Sequence, residues 1–144
     1  MEELIQQMKI ALGSVFAFYL KSHNYHWNVT GPDFAQYHEY FGDMYEEVWG
    51  TVDMYAEEIR KLDAYAPGSL SRFMELSVVQ DEMTIPQSLE MFRRLRDDNL
   101  KIIEVLTIAN DMAEANRKVG LANFLQDRLQ YHDKLNWMLS SFNK

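Results

Sequence analysis

Apolar residues return along this chain with the period of a helix. Met8, Leu12, Val15 and Tyr19 recur at steps of four, three and four, which predicts an amphipathic helix running to about Trp27. "NVTGP" interrupts it, and Pro32 with Asp33 suits a new helix start, where a carboxylate complements the dipole. The second stripe is Phe34, His38, Phe41, Tyr45, Val48, Val52, Tyr55, Ile59 and Leu62. "SLSRFMEL" reads as a short helix opened by Ser69, and Thr84 with Gln87 reads as a capping box for a third long helix. That helix carries Leu89, Phe92, Leu95, Ile102, Leu106 and Ala109, and Gly120 is the expected break after it. Leu121, Leu125, Leu129, Leu135 and Leu139 form the last stripe. No strand pattern or internal repeat interrupts these elements. The long connection from about Asp63 to Met83 suits an all-α four-helix bundle with one crossover, a topology that includes ferritin-like folds.

Composition narrows the chemistry. The 144 residues are expected to form one domain, 1–144, with a real core. There is no cysteine, so a metal must be held by nitrogen and oxygen. No apolar run is long enough to span a bilayer and none resembles a leader, so a cytoplasmic protein without membrane contact is expected. The net charge of −8 repels nucleic-acid phosphates.

Three of the four histidines lie in "HNYHWNVTGPDFAQYHEYFGD". His26 follows the first stripe and His38 lies inside the second, so both point where apolar residues point. A short turn joins the two helices, which places His26 and His38 at one end of an antiparallel hairpin. They are either buried histidines bonded to backbone or water, or a pair of ligands. Further along, Asp53 and Glu57 are four residues apart and share a helix face. They are either solvated charge or a carboxylate pair held together by a cation.

One chain cannot bring these pairs together. His38 and Asp53 are separated by about 22 Å along a straight helix, whereas a metal–ligand bond is about 2 Å. Two hairpins packed antiparallel about a two-fold axis near Tyr45 and Glu46 would bring the histidine end of one chain to the carboxylate end of the other. The intrachain di-iron alternative needs Glu-x-x-His motifs, and the sequence has none. His132, between Leu129 and Leu135, reads as a core histidine.

"HWNVTGPDFAQYHEYF" followed by Asp53 and Glu57 resembles the Dps family of mini-ferritins. The likeness spans most of the chain, including the short middle helix and "WML" at Trp137–Leu139. It implies a hollow shell of twelve subunits built from two-fold dimers, with ferroxidase centres between subunits. There Fe(II) is oxidised, preferably by hydrogen peroxide, and ferric mineral is stored inside. It implies that His26 and His38 ligate iron from one subunit, and Asp53 and Glu57 from the other. Glu57 would bridge where two irons bind; one iron is the simpler alternative, and zinc is a substitute that the same donors accept. Trp27 is implied as an electron donor, against plain aromatic packing.

The pattern also departs from the family. Gly42 stands where many members have an aspartate; Asp43, one residue on, is turned by about 100°. Glu58 replaces an arginine, and Asn123 an acidic residue of the pore region, leaving Glu114 and Asp127 as acidic pore lining. These departures motivate an alternative: a structural or DNA-compacting shell with weakened or lost ferroxidase activity. A third reading makes the metal, zinc for example, chiefly dimer glue. DNA binding is expected to be weak or absent. There is no lysine-rich tail, and "RRLR" at 93–96 is followed by two aspartates.

Overall fold

A computed structural model describes residues 1–144 as five helices without a strand. They are α1 (Glu2–Asn28), α2 (Phe34–Lys61), α3 (Leu70–Leu76), α4 (Ser88–Ala115) and α5 (Val119–Ser141). α1 packs against α2 and α4, α4 against α5, and short α3 lies on α1. This is the four-helix bundle with a helix in its crossover that the periodicity predicts.

Each stripe turns inward except at its first residue on α2 and α4, where Phe34 and Leu89 lie near the helix start and are exposed. Met8, Leu12, Val15, Phe41, Val48, Tyr55, Ile59, Phe92, Leu95, Ile102, Leu106, Leu125 and Leu139 are all buried in one continuous core. A side chain of this size contributes roughly 1.5–3 kcal/mol when fully buried. Phe92 is stacked between Phe41 and Phe142, with ring centroids 4.6 and 3.9 Å away. The turn between α1 and α2 uses Gly31 at φ 118°, a left-handed conformation open to glycine.

Two helix boundaries differ from expectation. Thr84 and Gln87 make no capping box: α4 begins at Ser88, and the Gln87 side chain makes no cap bond. The Thr84 hydroxyl donates instead to the Glu82 carboxylate at 3.0 Å, drawn by a charged acceptor close by in sequence. Nor does Gly120 break the bundle. The turn falls at Asn116–Lys118, where Arg117 takes φ 56°, and Gly120 lies in the first turn of α5. The Ser69 side chain does accept from the Arg72 N–H, at 3.2 Å, and opens α3.

Polar clamps tie the crossover to the back of α1. Lys21 pairs with Asp98 at 2.9 Å, with both side chains nearly buried, and donates to the Gln80 carbonyl at 3.2 Å. The Tyr25 hydroxyl donates to Glu82 at 2.5 Å, and Arg94 donates to the same oxygen at 2.8 Å. Burial opposes the charge on Glu82, but hydrogen bonds from Tyr25, Arg94 and Thr84 prevail and hold its pKa at about 2. These clamps fix the helix that carries His23 and His26.

Candidate metal centre

The hairpin brings His26 and His38 into contact. Their rings stack with centroids 3.8 Å apart and planes 18° from parallel. The bonds between them are reciprocal: His26 Nδ1 donates to the His38 carbonyl at 2.7 Å, and His38 Nδ1 donates to the His26 carbonyl at 2.6 Å. A carbonyl only accepts, so each Nδ1 must carry a proton. In the neutral rings that leaves a lone pair on both Nε2 atoms, the state a metal ligand needs. The expectation of histidines bonded to backbone is met, and the same bonding leaves the other nitrogen of each ring unengaged. Both rings are half-buried, and Phe34 stacks on His38 at 5.0 Å.

Gly42 completes this arrangement. A Cβ built at Gly42 would lie 3.1 Å from both Cε1 and Nδ1 of His26. The imidazole occupies the space an aspartate would need. Asp43 faces elsewhere, into a groove between α2 and α5 bordered by Glu47, Tyr131 and Lys134.

Asp53 and Glu57 are exposed on α2. Asp53 borders a shallow groove with Trp49, Ala56, Pro67 and Phe73. No three histidine, aspartate or glutamate side chains of one chain converge on a common point. Within one chain the histidine pair and the carboxylate pair remain apart. Glu58 is drawn aside by Lys61 at 2.9 Å.

Trp27 is 58% exposed and packs on His23, with centroids 4.0 Å apart. Glu114 lines a hollow at the α4–α5 turn together with Arg117, Lys118 and Asn123, and Asp127 is exposed further along α5. The "RRLR" guanidinium groups of Arg93, Arg94 and Arg96 pair with Glu90, Glu82 and Asp97 respectively. His132 is fully buried, with Nδ1 2.6 Å from Asn99 Oδ1, and burial together with the Arg128 charge lowers its pKa to about 3. It is a neutral core histidine.

The sequence placed Tyr19 and Tyr45 on apolar stripes but gave no chemical role to them or to His23. The Tyr19 hydroxyl lies 2.9 Å from His23 Nδ1, and His23 stacks on Tyr45 with centroids 3.7 Å apart and planes 8° from parallel. The available signal was spacing: Tyr19, His23 and Trp27, like Tyr45 and Trp49, are four residues apart and share a helix face.

Comparison with known proteins agrees with this architecture. Residues 5–144 match the ferritin-like domain. The DNA protection during starvation protein of Brevibacillus brevis is 29% identical over 124 residues, covering 86% of this chain and 83% of that protein. The crystal structure of Dps from Staphylococcus aureus superposes with a TM-score of 0.95 at 26% identity, over 100% of this chain and 97% of that one. That of a Dps protein from Bacillus brevis gives a TM-score of 0.95 at 25% identity, over 99% and 96%. The chain belongs to the ferritin-like family, and within it to the Dps mini-ferritins. None of its helices is long and apolar enough to cross a membrane.

Proposed function

We propose that this protein is a ferroxidase and iron store, which oxidises Fe(II) at sites shared between subunits and holds ferric mineral inside a hollow dodecamer. The reading rests on one observation above all: the reciprocal Nδ1–carbonyl bonds that set two stacked imidazoles with free Nε2 atoms. His26 and His38 of one chain and Asp53 and Glu57 of its two-fold partner make a mixed nitrogen and oxygen set suited to Fe(II) as substrate. Zinc is the natural competitor for the same donors. Trp49, Met54, Trp27 and Phe34 expose large apolar surfaces on the hairpin, consistent with a face covered by another copy.

Hydrogen peroxide is the preferred oxidant in this reading, so one reaction removes both Fe(II) and peroxide and protects against oxidative stress. The subunit is one ferritin-like unit over residues 1–144, working in the cytoplasm. Glu114 and Asp127 give an acidic approach for Fe(II). DNA binding is weak or absent, in keeping with a net charge of −8 and paired arginines.

The test is anaerobic Fe(II) oxidation on adding hydrogen peroxide, against a protein-free control. Rapid oxidation, with iron soluble and co-eluting with the shell, is expected. A rate equal to the control would favour the shell without ferroxidase activity. Dissociation of dimers by a chelator, with no oxidation at all, would favour metal as interface glue.

A further inference from the structure

His38, Gly42, Tyr45, Trp49 and Asp53 follow one another at steps of four, three, four and four, so they share one face of α2. That face has a dent and a knob placed symmetrically along it. A two-fold axis that sets His38 against the partner's Asp53 crosses α2 between Tyr45 and Glu46, and residues equally far from the crossing face each other. Gly42 and Trp49 are such a pair, each about 5 Å from the crossing at 1.5 Å per residue. Helices that cross diverge with distance from the axis, so this pair is held in register more closely than His38 and Asp53 themselves. Each member is unfinished within its own chain. Trp49 has the Tyr19 ring 4.8 Å away and is still 53% exposed. Gly42 presents no side chain, and the His26 ring fills the space behind it, 3.1 Å from a Cβ built there. An uncovered indole thus faces a hollow beside the imidazole pair.

We infer that, in the shared site proposed above, Trp49 of the partner subunit seats over Gly42 and confines that site to a single metal ion; the two-fold is taken from that reading. The indole comes from the same subunit as Asp53 and Glu57, and it walls the side of the site nearest the axis. Its nitrogen carries a donor and no lone pair, so it cannot ligate. It takes the place from which a further carboxylate would reach a second cation. Charge gives the same count. The imidazoles are neutral when each Nδ1 holds its proton and each Nε2 its lone pair. Asp53 and Glu57 together then balance one divalent ion. A second ion would leave uncompensated positive charge against an apolar wall, where unpaired charge is costly. Trp49 is thereby a specificity-determining residue for metal number, and one iron per site is selected over a bridged pair.

Zinc calorimetry on the iron-free assembled protein reads the count without redox chemistry. The tight zinc binding that His38→Ala removes should amount to one ion per subunit in the parent. Trp49→Asp puts a carboxylate where the indole was, opposite Gly42, and should raise that count to two. Trp49→Phe should keep it at one. Met54→Asp adds a carboxylate about 100° off the stripe and should also keep it at one. With Trp27→Phe and Trp137→Phe, Trp49 is the sole indole. Its fluorescence in the metal-free assembly should be quenched by acrylamide far less than that of N-acetyltryptophanamide. Two tight zinc ions per subunit in the parent, one in an assembled Trp49→Asp, or free-indole quenching of Trp49 would each overturn the inference. Should Trp49→Asp fail to assemble, the parent count and the quenching still decide. No tight zinc at all would defeat the proposed site and this inference with it. Slow Fe(II) oxidation with one zinc still bound would defeat the ferroxidase reading alone.

Discussion

His26 and His38 can be set against His132. All three are imidazoles on inward-facing stripes, yet they meet opposite fates. His132 lies deep between α4 and α5, its Nδ1 engaged by Asn99 and its Nε2 buried without a partner. His26 and His38 lie at the end of the α1–α2 hairpin, each bonded through Nδ1 to the other's backbone and each only half-buried. What distinguishes the proposed ligands from the core residue is whether the nitrogen left over by the fold can be reached. A hydrogen bond to protein is common to both.

The largest effect expected from this contrast is on iron chemistry. His38→Ala or Asp53→Ala should reduce peroxide-driven Fe(II) oxidation to the protein-free rate in stopped-flow absorbance, whereas His132→Gln should leave a folded, active protein. Next comes Gly42. A Cβ added there would lie 3.1 Å from the His26 ring, so Gly42→Ala should push the imidazole out of its stack. Calorimetry with Zn(II) as probe should then show affinity reduced about tenfold, the scale of disturbing a ligand's supporting shell. An affinity unchanged or raised in Gly42→Asp would mean that an aspartate is accommodated as an added ligand.

The acid limb of stability sharpens the comparison from the other side. The folded pKa of His132 is lowered to about 3 from an ordinary 6.5, so the native state disfavours its proton. Its contribution is therefore fully present above the ordinary histidine range and is lost as pH falls from there towards 3. The slope is roughly 1.4 kcal/mol per pH unit. Denaturant midpoints measured down that range should fall less steeply for His132→Gln than for the parent. The smallest effect concerns the arginines at 93–96. Arg93→Ala or Arg96→Ala removes an exposed ion pair and should change stability by about 0.5 kcal/mol. Neither should alter the mobility of DNA in a gel at moderate salt.

Much of this was legible in the sequence because periodicity speaks about faces. The stripes placed Phe41, Leu95 and Leu125 inside, and helix rise separated His38 from Asp53. The misplaced boundaries arose where local chemistry competed. Thr84 chose the nearby Glu82 carboxylate over a cap, and Arg117 took the left-handed turn that Gly120 could have supplied. Gly42 read as a missing ligand, since a one-letter pattern cannot show that a neighbouring imidazole fills the space. The Tyr19–His23 pair went unassigned because helical spacing permits such a contact without revealing its hydrogen bond.

The central claim is that imidazoles of one subunit and carboxylates of another form a single site. A mixing experiment tests it most directly. One chain carries His26→Ala and His38→Ala; the other carries Asp53→Ala and Glu57→Ala. Each assembled alone should oxidise Fe(II) no faster than buffer. Refolded together, each mixed dimer should recover one intact site of its two, about half the parent activity per mixed dimer. A mixed assembly as inactive as its parents would contradict the claim.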